Sequence, residues 1–427
     1  MQAKKSKLHF TSQVLALVIC WVITPVYGQA PHSGSMQLPT YRIYLDADQT
    51  NSESSGKSIE LGIRAALAEN NWKLGEFPVE LIIKDHHGSS PRSKLHLVQF
   101  LEDPYALALF GGLHSPPLLA SRDFINNNDI LTLVPWAAAT PITRYPSSEN
   151  WIFRLSVDDS KASQVLVNNA IKDSGFKQPF LLLEDTGWGK ANEITMSKAL
   201  SEEGITSQGL HYFQWGIGQH EARTLLENAI SKGADGFILV ANAPEGVTFA
   251  NAMLTLDIDR QRPIRSHWGI TGGKFFDTIG SANVSKLDLQ FIQTRFSFFD
   301  TPLSALAHGA LKSAASQLGQ SEITAKDIKA PSGFIHAYDL SKILIEAANK
   351  TQLTGSAKTD RQALRTALET LNSPIEGLIK TYLNPFTIFS DSNIDAHEAL
   401  NISDFVMAKY DEQGNIRVIP TFIRKFK

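Results

Sequence analysis

From Tyr41 onward the chain alternates short apolar runs with stretches of helical period. YRIYLD (41–46) precedes an amphipathic stretch over 57–71, and VELIIKD (79–85) precedes another over 92–101. ALALFGG (106–112), a third helical stretch and ILTLV (130–134) complete the series. Strands separated by helices of this length predict a parallel sheet with right-handed crossovers. A second series follows Trp151-Ile152-Phe153-Arg154. It opens with a helix over 159–174 and the strand PFLLLED (179–185), then a helix over 190–203. The strand GLHYFQW (209–215), a helix over 221–232, the strand GFILVAN (236–242), a helix over 246–256 and the strand IRSHWG (264–269) complete it. Two similar units predict two lobes of one α/β architecture.

The remainder is less regular. Helical patterns cover 303–318, 334–349 and 360–371. The end alternates as antiparallel strands do, over LIKTYLNPFTIF (378–389) and DFVMAKYDEQGNIRVI (404–419), with a turn at Glu412-Gln413-Gly414.

Ahead of the first strand, residues 1–28 have the three parts of an export signal. Lys4, Lys5 and Lys7 open it, an apolar core spans 14–23, and Val26-Tyr27-Gly28 is an acceptable cleavage site. The core is about half of what a membrane span needs, and Pro25 ends it. The single cysteine, Cys20, lies inside this signal. LVIC is a weak lipoprotein box, because Ile19 stands where a small residue is wanted. Removal of the signal leaves no cysteine, hence neither disulfides nor thiol chemistry. It also makes the mature chain more negative than the −3 of the whole. That balance argues against nucleic acid or an anionic membrane surface as partner. The remaining length suits two domains.

In open parallel sheets, ligands bind beyond the carboxyl ends of the strands, where helix N-termini present free N–H groups. The loops to weigh are 46–56, 85–87, 112–115, 135–140, 185–188, 242–245 and 269–273. Three of the seven tryptophans, Trp136, Trp188 and Trp268, fall in or beside them. An indole there either packs in a hinge or stacks on a ligand. His86, His87 and His114 beside Asp85 invite a metal reading, but adjacent histidines on one loop point apart, and Asp85 more simply organises a helix entry. His397-Glu398 in HEALN lacks the second histidine of a zinc-protease helix. G-x-S-x-G, G-x-G-x-x-G and phosphate-loop patterns are absent, and His114-Ser115 is no triad. No cofactor, metal or catalytic group is expected.

The resemblance becomes specific in a series of motifs. SSGKSIELG (54–62) with RAALAENN, Asp85, FGGLHS (110–115), VPWAAATP (134–141), FRLSVDD (153–159), EDTGWGK (184–190) and GADGFILVAN (233–242) occur in one order. That order and spacing resemble the type I periplasmic solute-binding proteins of the leucine/isoleucine/valine and amide group of ABC transporters. The resemblance implies two Rossmann-like parallel-sheet lobes joined by a three-strand hinge. Crossings are expected near 154–158, 294–300 and 376–382. The first lobe would hold 40–155 and 300–378, the second 156–299 and 379–427. It further implies a monomer that closes on a small molecule and delivers it to an inner-membrane ABC permease, and the weak lipoprotein box and absence of mature cysteines favour a Gram-negative periplasm.

Carried over residue by residue, the ligand contacts are Ser55, His114, Ser115, Trp136, Ala137, Ala138, Asp185, Trp188, Asn242 and Thr271. In amino-acid-binding relatives, the loops matching 113–117 and 136–138 hold the ligand carboxylate. Here Pro116 and Pro117 replace possible donors, Trp136 replaces a small residue, and Ala138 replaces a threonine. Ser55 stands where an aromatic is common, and Trp188 where a tyrosine is. The acid that often receives the ligand amine has no clear equivalent in GITGG (269–273), where Thr271 is the nearest polar group. These departures favour a flatter or more apolar solute with one carboxylate, among amino-acid-like, amide, and aromatic or short-carboxylate candidates. Trp136 and Trp188 would stack on it, with Ser115 and backbone donors at its polar end. Two other readings compete: a periplasmic protein serving a sensor or an alcohol-oxidation system without transport, and an exported hydrolase.

Overall fold

The computed structural model describes residues 38–147 and 149–419. The predicted export signal and Cys20 lie outside the described residues. The first series forms β1 (Tyr41–Ala47), α1 (Glu53–Glu69), β2 (Lys73–Leu74), β3 (Phe77–Asp85), α2 (Ser90–Glu102), β4 (Ala106–Gly111), α3 (Ser115–Asn127), β5 (Thr132–Val134) and β6 (Ile152–Arg154). Its sheet has the order β2-β3-β1-β4-β5-β6 and is parallel apart from the β2–β3 hairpin.

The second series forms α4 (Asp159–Asn168), β7 (Pro179–Glu184), α5 (Gly187–Glu202), β8 (Gly209–Phe213), α6 (Gln219–Ser231), β9 (Gly236–Val240), α7 (Ala243–Leu254), β10 (Ile264–Ser266), α8 (Phe275–Ile279), α9 (Ser281–Val284) and β11 (Leu289–Thr294). After it come α10 (Ala305–Gln317), α11 (Pro331–Asn349), α12 (Ala357–Thr370), β12 (Ile375–Glu376), β13 (Thr381–Tyr382), β14 (Phe405–Tyr410) and β15 (Ile416–Val418). The second sheet runs β15-β14-β11-β10-β9-β7-β8, with β14 and β15 antiparallel additions to a parallel core.

Strands β4 and β9 are buried along their whole length, as parallel strands covered by helices on both faces must be. Helices α10–α12 return to the first sheet. α11 lies against α1 so closely that a Cβ at Gly62 would sit 2.4 Å from the Phe334 carbonyl oxygen. Only glycine permits that approach.

The stretch 378–389 is not a long strand. Asn384 adopts a left-handed φ of 49°, and Pro385 brings no N–H to a ladder. What remains is the short β12–β13 ribbon, docked on α11 by Asp339, which accepts from the Leu378 and Ile379 N–H groups and the Tyr382 hydroxyl. Beyond it, Arg154 N–H donates to His397 O and Ala399 N–H to Arg154 O. Residues 397–399 therefore extend the edge of the first sheet beside β6, although 379–427 was expected with the second lobe. The chain enters the second sheet for the last time between Ala399 and Phe405, later than the 376–382 crossing foreseen. The terminal hairpin forms where expected, turning at Gly414 with φ 79°.

A buried ionic cluster secures this junction. Arg154, fully buried, meets Glu398 and Asp158, and Arg144 joins Asp158 to Asp395. His397 stacks on Phe153 at 3.9 Å and bonds Ile152 O and Glu369. The HEALN segment is thus structural.

Candidate functional site

The two lobes meet across loops that follow β1, β3, β4 and β5 on one side and β7, β8, β9 and β10 on the other. From the first lobe, Leu113, His114, Ser115, Pro116, Trp136 and Ala138 reach the space between them. From the second come Glu184, Trp188, Asn242, Trp268 and Gly269. The free volume they enclose is about 10 Å³, space for one water.

Three indoles shape this cleft. Trp268 of the second lobe is held between Trp136 and His336 of the first, at centroid distances of 5.4 and 4.9 Å. His336 donates from Nδ1 to Pro135 O and accepts the Thr294 hydroxyl at Nε2. Burial pushes its pKa down to about 3, so this ring is neutral. Trp188 N–H donates to Asp159, which also receives His267 Nε2 at 2.9 Å and Asn192 Nδ2 at 2.8 Å. The Trp188 polar edge is therefore engaged within its own lobe, leaving its apolar surface to the cleft.

Glu184 closes β7 and is the only acid among the lining residues; no Lys or Arg is among them. It accepts from Asn242 Nδ2 at 3.1 Å, from the Thr186 hydroxyl at 3.2 Å and from the indole of Trp215. Burial, aided by nearby Glu245, pushes its carboxyl up to about 7 against those donors. Across the cleft, His114 Nε2 lies 3.2 Å from Asp48 and 3.3 Å from Ser52 Oγ. Burial opposes ionisation of Asp48, yet the His114 contact and backbone N–H donors hold its carboxyl below the usual range.

Of the ten residues expected to contact a ligand, the structure brings His114, Ser115, Trp136, Ala138, Trp188 and Asn242 to one cavity. Ser55 does not join them; its hydroxyl bonds Ser52 O inside α1. Ala137 faces inward, its carbonyl receiving Arg154. Asp185 lies outward with Gln214 and Lys190. Thr271 donates to Trp268 O and accepts from Gln293, so it offers the cleft nothing. Ser115 Oγ accepts from Ala139 N–H, which leaves its O–H to donate.

Glu184 ends an apolar strand and so does not stand out among the loop residues. A carboxylate directly after PFLLL, at a strand's carboxyl end, was the available signal. Trp215, at the end of the predicted strand 209–215, lies beyond β8, where its ring reaches His114. Asp85 does not cap α2; Ser89 does, while Asp85 holds the Gln49 and Thr50 loop. His86 and His87 diverge: His86 is buried and accepts from Gly88 N–H, whereas His87 turns outward to Asp85. Among the described residues, no group of three or more His, Cys, Asp or Glu is placed to hold a metal.

Two α/β lobes facing each other across a loop-lined cleft define the two-lobed solute receptors of type I fold. The chain belongs to the periplasmic binding protein family, whose model matches residues 44–393. No curated protein matches it. Among solved structures it is similar to a type 1 periplasmic binding protein from Bordetella pertussis Tohama I, with 15% identity over 90% of this chain and 100% of that one, TM-score 0.72. An ABC-transporter solute-binding protein from R. palustris in complex with 4-hydroxybenzoate is 14% identical over 90% and 97% of the two chains, TM-score 0.69. The branched-chain amino acid transporter substrate-binding protein LivJ from Streptococcus pneumoniae, in complex with isoleucine, is 17% identical over 89% and 98%, TM-score 0.67. At these identities the likeness establishes the fold alone. Among the described residues, no helix is long and apolar enough to cross a membrane.

Proposed function

We propose that this periplasmic binding protein captures a small amide or amine between its lobes and presents the closed form to an ABC permease. The observation that carries the solute class is Glu184, a buried carboxylate in a cleft otherwise lined by indoles, His114, Ser115, Asn242 and apolar groups. Where Glu184 is ionised, above about pH 7, a carboxylate solute would meet it with like charge and find no Lys or Arg to offset it. The α3 N-terminus, the usual place for an anion, begins Ser115-Pro116-Pro117, and two of those residues have no N–H. A solute with N–H donors instead finds an acceptor at Glu184 and aromatic faces that favour cations. This replaces the carboxylate-bearing solute expected from the loops alone.

Closure would follow from contacts that the solute makes with both lobes at once, shifting an open–closed equilibrium. A thermal-shift screen on protein unfolded and refolded to strip carried-over solute tests the reading. Acetamide, urea, guanidinium and methylammonium are compared with benzoate, isoleucine and short carboxylates. Saturation at a hundred times the dissociation constant adds about 2.7 kcal/mol. Selective response to an amide or amine supports the proposal. Selective response to a carboxylate overturns it.

A further inference from the structure

We propose that Trp136 is the residue that sets the size of solute this cleft admits, acting as a built-in wedge in the space where a larger ligand would sit. The inference rests on reading this cleft as the solute site. Trp136 belongs to the loop after β5 in the first lobe, yet its ring is braced from both lobes. A Cβ at Gly333, at the start of α11, would lie 2.7 Å from its Cζ3. A Cβ at Gly272 in the second lobe would lie 3.4 Å from its Cζ2. Its ring also meets Trp268. Gly333 thus leaves room for the indole, and the Gly272 backbone of the opposite lobe borders it at ordinary van der Waals distance, a fit between ring and surroundings rather than incidental packing.

The loop is held as firmly as the ring. The Trp136 carbonyl accepts the Ser156 hydroxyl at 2.6 Å, and Ser115 Oγ receives the Ala139 N–H. Trp268, against which Trp136 rests, is fixed through the Ser332–Gln293–Thr271 chain of hydrogen bonds. With Trp136 seated, the remaining space is about 10 Å³. Opening the lobes slightly makes room for a few heavy atoms; a benzene ring requires the indole to leave. An apolar cavity of about 150 Å³ suffices for such a ring.

The test titrates the full chain and two variants, Trp136→Ala and the milder Trp136→Phe, with benzamide and indole by calorimetry, alongside acetamide and methylammonium. The wild type is expected to give no saturable binding of either ring compound. Trp136→Ala should gain it, at least a hundredfold above the wild-type limit, with Trp136→Phe gaining less. Trp136→Phe keeps the proposal testable if the alanine variant fails to fold. Ring compounds binding the wild type as tightly as the variants would overturn the wedge. So would the absence of any gain in a folded variant. Ring binding gained by the variants while no amide or amine binds the wild type sustains the wedge and sinks the solute class. Amide or amine binding to the wild type without a gain in the variants does the reverse.

Discussion

Trp215 of the second lobe lies over His114 of the first, ring centroids 5.2 Å apart and planes inclined at 43°. The same indole donates to Glu184 on the cleft floor, and its six-membered ring covers Gly88, where a Cβ would be 3.4 Å away. The neighbouring Gly216 N–H is held by Glu245. One side chain therefore links the acidic floor of the second lobe to the rim of the first, although it is itself 43% exposed. An exposed aromatic with one face on the opposite lobe is placed to act as a latch.

Trp215→Ala is expected to weaken solute binding roughly threefold to tenfold, the equivalent of an aromatic pair worth about 0.5–1.5 kcal/mol. The change should appear in the dissociation rate, since a latch acts after the solute has entered. Stopped-flow fluorescence with an identified solute measures this. An unchanged dissociation rate would mean that the contact plays no part in retention.

On the proposed function, Glu184 should make binding pH-dependent, with a defined sign. Its carboxyl rises from 4.5 to about 7 on burial, so it is largely protonated below that value and ionised above it. Affinity for methylammonium, whose charge is fixed over this range, should climb as pH passes from 6 to 8, and Glu184→Gln should flatten the profile. Stability runs the opposite way. A raised carboxyl pKa contributes stability fully present below 4.5 and lost as pH rises through about 7. Glu184→Gln should remove that slope, on the order of 3 kcal/mol for such a shift. Urea titrations at several pH values supply the check, and parallel profiles for both proteins would refute the assignment.

Much of the fold was legible because its strands are covered on both sides. Such strands are continuous apolar runs, and GFILVAN or ALALFGG stand out against amphipathic helices whatever lies elsewhere in the chain. The terminal hairpin was legible because Gly414 supplies the turn's positive φ locally. The third crossing was not, since it depends on Arg154 pairing with residues 397–399, far away in sequence. The site divides along the same line. Trp136, Trp188 and Asn242 are placed by their own strand ends, but the directions of Ser55 and Thr271 depend on partners. Ser52 O takes the first hydroxyl and Trp268 O the second. Glu184 gains its character from burial and, secondarily, from nearby Glu245, surroundings that no local pattern assigns.

The junction cluster should be sensitive to removal of one partner and tolerant of removing both. Arg154 and Glu398 are fully desolvated and approach to 2.5 Å. Glu398→Gln leaves Arg154 with less compensation, and Glu398→Ala strands it beside Asp158 alone. Breaking a buried pair in this way costs about 3–5 kcal/mol, whereas apolar replacement of both partners is often neutral. Denaturation midpoints of Glu398→Ala and of an Arg154→Met, Glu398→Leu double variant distinguish the two. Equal losses in both would show that shape, not charge, secures the segment.

Gly333 and Trp136 should be coupled energetically. A methyl at Gly333 would fall within 2.9 Å of two Trp136 ring carbons and 3.0 Å of Ile59, too close without displacement. Gly333→Ala is therefore expected to cost about 1–3 kcal/mol, the usual range for overpacking a filled interior. Helix propensity works in the other direction, because alanine is favoured over glycine by up to about 1 kcal/mol in a helix interior, and by less in the first turn where Gly333 lies. The net effect in the wild type is the difference of these terms. In the Trp136→Ala background most of the clash is gone and the propensity gain remains, so the same substitution should become neutral or stabilising. A double-mutant cycle isolates the interaction, and contacting residues typically show coupling of about 0.5–3 kcal/mol. Additive effects across the cycle would mean that Trp136 shifts aside freely, a ring too loosely seated to act as a wedge.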